Sequence, residues 1–215
     1  MKNVFLLVFL LIPTVTWAES AITCHCFQDR TFNHQNTAAA DPYFLATTQN
    51  SFLSLVYNVN KGTIVKAKMS GTDGAHLWIL FDLAKRSGQD IGRVEQIYSQ
   101  TKRWTDVFKQ LKLTPQQLGE TYWQHGGNPE KLADHIVDLQ LKKYFSVNET
   151  ELENWRKQGM GRKELILAIM LKGEPDKLYH QVTSGMQTWG ELLYEQGLLD
   201  GKAINQKLAA QMAQS

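Results

Sequence analysis

From Thr48 to the C-terminus apolar residues recur at helical spacing, and almost no stretch alternates apolar with polar for five positions as a half-buried strand would. In HLWILFDLAKRSG, Leu77, Leu80, Phe81 and Ala84 fall on one stripe, and Gly88 follows as a C-terminal stop. Helix starts are equally legible. Thr114 precedes Pro115 with Gln117 at the capping-box position, Asn128-Pro129 follows the break Gly126-Gly127, and Asn148 precedes Glu151. The pattern predicts an all-α protein of roughly eight to ten short helices with tight connections.

The helical pattern occurs twice. At an offset of 88, Val59-Asn60 falls over Val147-Asn148, Ile64 over Leu152, Gly71 over Gly159, Leu77 over Leu165 and Leu83 over Leu171. After a three-residue deletion, Gly88 falls over Gly173, Gln96 over Gln181, Ile97 over Val182, Trp104 over Trp189, and Val107-Phe108 over Leu192-Leu193. Two copies are too few for a solenoid, so two related multi-helix units are expected to pack together as one body. The organisation expected is a leader over 1–18, an irregular Cys-containing arm over 19–47, unit 1 over 48–120, connecting helices over 121–145 and unit 2 over 146–215. Trp78, Trp104, Trp155 and Trp189 fall inside the repeats and are expected in the core.

The first eighteen residues set the compartment. Met1-Lys2-Asn3, the apolar run Val4–Ile12 and a stretch ending in Ala18 have the layout of a cleaved secretory signal peptide, too short to span a bilayer. Periplasmic or secreted location is therefore expected, with no integral membrane segment after cleavage. The chain carries 23 Lys+Arg and 21 Asp+Glu, and cleavage removes only Lys2 from that balance. Near-neutral charge gives no reason to bind nucleic acid, although Trp104 to Gly119 superficially has the look of a helix-turn-helix.

Both cysteines and two of the six histidines stand in ITCHCFQDRTFNH, residues 22–34. In an oxidising compartment a Cys24–Cys26 disulfide is the expected resting form, but Cα atoms two residues apart lie about 6.5–7 Å from each other, at the edge of what a disulfide spans. The bridge would be strained, and so either a stiffener of the arm or a redox-active dithiol. A metal reading takes Cys24, Cys26 and His34, with His25 or Asp29 as a fourth ligand, for zinc or copper. The single residue between the cysteines departs from the usual structural spacing.

Asp29, Arg30, Asp41 and Tyr43 could surround a polar cleft under the Cys loop, or Arg30 and Asp41 could tie the arm to the helical body. Asp41-Pro42 reads as a turn opener, with Thr47 or Thr48 capping the helix that carries Phe52, Leu55 and Val56. His125, His135 and His180 stand on different predicted helices, and His135 with Asp138 reads as a solvated face. Trp123, outside the two units, is the aromatic expected to face a partner. No nucleophile elbow, phosphate loop or His-Glu-x-x-His motif occurs.

The segments CHCFQDRTFN and ADPYFLATTQNSFLSLVYNVNKGTIVKAKMSG resemble a family of exported proteins from Gram-negative, Geobacter-like bacteria for which no activity is known. The resemblance covers most of residues 24–120. It implies an exported helical protein and carries over no catalytic residue.

Three classes of function follow: a binding or scaffold protein that holds an envelope protein or small ligand, a thiol or metal protein centred on Cys24, Cys26 and His34, and an enzyme whose groups meet only in the fold. With no convergent acid, base or nucleophile motif, the first is the expectation. Far-UV circular dichroism should show Leu77→Asp unfolded, because it drives a charge into an apolar stripe. The double variant Cys24→Ser/Cys26→Ser should keep the full helical signal, and its loss would make the Cys segment part of the core.

Overall fold

Most helix starts in this chain are fixed by side chains that take up the first free backbone N–H groups, as Asn60, Asp73, Asp90, Thr114, Asn128, Asn148, Thr188 and Asp200 do. The structure, a computed structural model, describes residues 27–214. The leader and Cys24 and Cys26 lie outside the described residues. Thirteen helices occur among the described residues, and none is long and apolar enough to cross a membrane. They are α1 (Asp41–Tyr57), α2 (Lys61–Met69), α3 (Gly74–Ser87), α4 (Ile91–Thr101), α5 (Trp104–Gln110), α6 (Pro115–Leu118), α7 (Glu120–His125), α8 (Pro129–Phe145), α9 (Glu149–Lys157), α10 (Arg162–Met170), α11 (Pro175–Thr183), α12 (Trp189–Glu195) and α13 (Gly201–Met212). The capping boxes at Thr114 with Gln117 and at Asn148 with Glu151 form as expected, and Thr188 with Glu191 adds a third.

The helix count exceeds the expectation in part because residues 104–125 form three short pieces. Lys112 at φ 56° and Gly119 at φ 93° reverse the chain where the apolar period runs on. The start of α1 also differs. Asp41-Pro42 opens the helix instead of a turn, since proline in a first turn displaces no hydrogen bond. Thr47 and Thr48, expected as caps, lie buried in mid-helix, and Thr48 donates to the Phe44 carbonyl at 2.8 Å.

Taken as structural repeats, the units begin with α1 and α8, ahead of the starts at 48 and 146 expected from sequence, and they are related in backbone detail. Helix α1 lies over α8 and α2 over α9 at the offset of 88, end for end, and α5 lies over α12 at 85. Left-handed residues coincide: Asn58 at φ 52° with Ser146 at 54°, and Gly71 at 89° with Gly159 at 95°. After each fifth helix one turn recurs, with Leu113 N–H on the Phe108 carbonyl and Leu198 N–H on the Leu193 carbonyl.

The units pack by exchanging their first helices. Helix α3 lies chiefly against α8 of the other unit, and its counterpart α10 lies chiefly against α1. The closing helices follow, α13 on α1 and α7 on α8. One continuous core results, with Phe44, Phe52, Trp78, Leu83, Leu132 and Leu165 fully buried, and Trp104, Trp155 and Trp189 in it as expected.

Because α1 is covered on most sides, its polar run Thr47–Ser51 is buried, and α2 supplies partners. Lys61 Nζ donates to Ser51 Oγ at 2.7 Å and Lys68 Nζ to Asn50 Oδ1 at 2.6 Å. At the equivalent place in unit 2, Arg156 donates to Asp138 at 2.7 Å. That pair also corrects the expectation of a solvated His135–Asp138 face, because Arg156 reaches over from α9 and covers the carboxylate. In unit 1 the acceptor is a neutral amide, so no carboxylate pairs with Lys68. Burial, with help from nearby Lys163, pushes Lys68 down to about 8. A second buried polar group is Asp82 on α3. Its carboxylate accepts from Tyr57 at 3.0 Å, Tyr122 at 2.8 Å and Arg86 at 2.6 Å. Burial first, and then the Asp82 charge, hold both phenols protonated well above their ordinary range.

These shifts give stability a definite pH profile. Between about 8 and 10 the unfolded chain holds a proton on Lys68 that the folded one has lost, so stability rises with pH. Above 10 the unfolded chain sheds the Tyr57 and Tyr122 protons that the folded one keeps, so stability falls. Urea midpoints measured across this range should rise and then drop. Asn50→Asp, which restores the unit 2 arrangement, should shrink the rise to the part that Lys61, also lowered by burial, supplies; a rise of unchanged size would take Lys68 out of the explanation.

Candidate functional site

Asp73 ends the turn after α2 and accepts the backbone N–H groups of Ala75 and His76 at 2.6 and 3.3 Å. This cap fixes the first turn of α3 and with it the His76 side chain. Across a cleft of about 510 Å³, α4 presents Glu95, whose Oε2 lies 2.6 Å from His76 Nε2. A carboxylate can only accept, so this nitrogen carries the proton. The imidazole is mostly covered, its side chain 15% exposed against 45% for Glu95.

One helical turn after Glu95 stands Tyr98. Its ring stacks on Trp104 with centroids 4.2 Å apart and planes 26° from parallel. The His76 ring meets both, at 4.7 Å from Tyr98 and 5.0 Å from Trp104. Lys102, the left-handed cap of α4, holds its ammonium 5.9 Å from the Tyr98 centroid. Glu130 at the start of α8 completes the wall, its Oε2 taking Arg162 at 2.7 Å. Helices of both units therefore frame the cleft. It offers a hydrogen-bonded imidazole, carboxylates and aromatic surface, and among the described residues no serine lines it.

Unit 2 has a cleft at the matching place, about 700 Å³, beside α11. Its chemistry differs. His180 and Thr183 line it at the positions of Glu95 and Tyr98, while Glu164, at the position of His76, is not part of its lining. Helix α11 has no fully buried residue, so this cleft is the more loosely framed.

The sequence-predicted residues are distributed as follows. Asp41 accepts the backbone N–H groups of Trp189 at 3.1 Å and Gly190 at 2.7 Å, capping α12 from a distant part of the chain. Burial raises its pKa, while those two N–H groups pull the other way. Tyr43 packs edge-on to Phe27 at 6.1 Å. Asp29 and Arg30 are exposed on the arm, where Arg30 Nε donates to the Phe27 carbonyl at 3.2 Å. Asp41 thus fastens the arm side of the chain to unit 2. His34 is exposed and lies 4.9 Å from Phe32 and 4.8 Å from Tyr194, ring to ring. Among the described residues no three His, Cys, Asp or Glu side chains group as a metal site, and the Cys24 and Cys26 of the expected set lie outside them. Trp123 is half-buried, resting 5.5 Å from the Phe108 ring. The rings of His125 and His135 lie 6.0 Å apart, and burial, aided by His125, lowers the pKa of His135.

His76 and Glu95 were not singled out by sequence, since nothing links two residues nineteen apart. The usable signal was Asp73, an N-cap placing a histidine in the first helical turn. Comparisons with protein-family models, curated proteins and solved structures find no match to the chain.

The docking of the arm gives a test of its own. A Cβ at Gly190 would stand 2.7 Å from the Thr37 carbonyl oxygen and 3.0 Å from Phe32. Gly190→Ala should therefore displace the arm and destabilise by about 1–3 kcal/mol, although alanine by itself favours a helix. Gly127→Ala, which meets nothing within 4 Å, should leave the melting temperature unchanged. Equal melting temperatures for the two variants would mean that the arm does not rest on α12.

Proposed function

We propose that this is an exported helical binding protein that holds a small ligand in the unit 1 cleft. The observation that carries the reading is the His76–Glu95 pair beside the Tyr98–Trp104 stack in a cleft of about 510 Å³. Its size is that of small-molecule sites, which combine apolar walls with a few directed polar groups. The leader-like N-terminus supports export. Among the described residues the lining hydroxyls are those of Thr72 and Tyr98, and the polar groups stand beside an aromatic wall, a combination suited to holding a ligand.

Trp104 is 2% exposed and belongs to both the core and the cleft wall, so an occupant should stabilise the whole fold through linkage. A thermal-shift screen with amines, amino acids, sugars and organic acids should raise the melting temperature with at least one class. The rise should shrink for Tyr98→Ala and survive in Cys24→Ser/Cys26→Ser. A ligand whose stabilising effect is untouched by Tyr98→Ala would place binding elsewhere.

A further inference from the structure

The three carboxylates that line the unit 1 cleft are each only half used. Asp73 spends Oδ1 on two backbone N–H groups, Glu95 spends Oε2 on His76, and Glu130 spends Oε2 on Arg162. Asp73 Oδ2, Glu95 Oε1 and Glu130 Oε1 accept no bond among the described residues. Among the described residues no lysine or arginine lines the cleft, Arg162 touching it only through its bond to Glu130. The wall therefore offers an excess of anionic acceptors beside aromatic rings. An anionic guest would be repelled, and a polyol would bring two lone pairs with every donor. A guest with several N–H donors, no acceptor at its polar end and a positive charge matches this lining.

The aromatic side points the same way. Tyr98 already has an ammonium, that of Lys102, 5.9 Å from its ring centroid, within the range of cation–π attraction. Lys102 stands in the loop that closes α4, outside the lining itself. It acts as a tethered competitor for the same ring.

Resting on the reading of this cleft as a binding site, we propose that its ligand is a small organic cation, a primary amine or guanidinium compound. Its charged end lies among Glu95, Glu130 and Asp73, and its carbon chain runs along Tyr98. The cleft volume limits the guest to small-molecule size.

Agmatine, which carries one guanidinium and one amine, is the probe, with glucose and glutamate as neutral and anionic controls. Isothermal titration of the full exported chain in low salt should give a saturable agmatine isotherm that weakens as sodium chloride is added. Glu95→Gln, which keeps an acceptor for His76 and removes the charge, should weaken agmatine about tenfold. Lys102→Ala should tighten it, a change that a merely structural lysine would not produce. Melting curves would confirm that both variants fold; Glu95 and Lys102 are not core residues. An agmatine isotherm indifferent to both substitutions overturns the assignment. Binding of glucose or glutamate without agmatine overturns the cation class and leaves the binding reading standing. Silence from all three probes overturns the cation class, and silence in the broader thermal-shift screen as well overturns the binding reading too.

Discussion

The structure depends on the burial of α1, the seventeen-residue helix Asp41–Tyr57, against the unit to which it does not belong in sequence. A helix covered on most sides cannot leave polar groups to water, and each one left unsatisfied costs free energy. Residues 47–51 are polar and buried. Back-bonding by Thr48 and the reach of Lys61 and Lys68 from α2 meet part of that demand. The same constraint places Asp41: at the buried start of α1 its carboxylate finds the free N–H groups of α12. Of these fastenings, the one at Asp41 joins residues 148 and 149 positions apart. The first helix therefore closes the second unit, as α8 closes the first.

Duplication kept the backbone and released the side chains. The left-handed pairs Asn58 with Ser146 and Gly71 with Gly159, and the turn bonds after α5 and α12, coincide to within a few degrees or a few tenths of an ångström. Polar chemistry at matching positions is free to change once its local partner changes with it. Lys68 with Asn50 stands opposite Arg156 with Asp138, and Asp82, ringed by two tyrosines and an arginine, stands opposite the buried Met170. The two clefts follow the same logic. Stacking of Tyr98 on Trp104 needs an aromatic one turn after Glu95, and unit 2 has Thr183 there.

What could be read from sequence divides along physical lines. Capping boxes at Thr114 and Asn148 were legible because the residues that satisfy the free N–H groups are neighbours in the chain. The core tryptophans were legible because they repeat. The start of α1 was not, since Asp-Pro and Thr-Thr satisfy both a turn and a helix locally, and only burial by α10 and α13 decides between them. Asp82 sits in an otherwise apolar run, where its partners Tyr57 and Tyr122 lie 25 and 40 residues away. His76 and Glu95 were hidden for the same reason, one on each side of a helix–turn–helix. The predicted polar group at Asp29, Arg30, Asp41 and Tyr43 rested on nearness in sequence, and Asp41 instead found partners 148 and 149 residues on.

That contrast bears on where function belongs in the molecule. Polar groups serve the fold when every atom is committed, as at Asp82, where both carboxylate oxygens are taken. They are available for something else when an oxygen stays open and the surrounding frame is rigid. The unit 1 cleft meets both conditions: its three carboxylates are held in place through one oxygen each, and Trp104 anchors the wall in the core. The arm meets neither among the described residues, since Asp41 uses both oxygens on α12 and Asp29 is exposed. Open acceptors on a fixed frame are preorganised for a donor. On the proposal made for this cleft, such a wall would bind a cation without first rearranging and would select by charge.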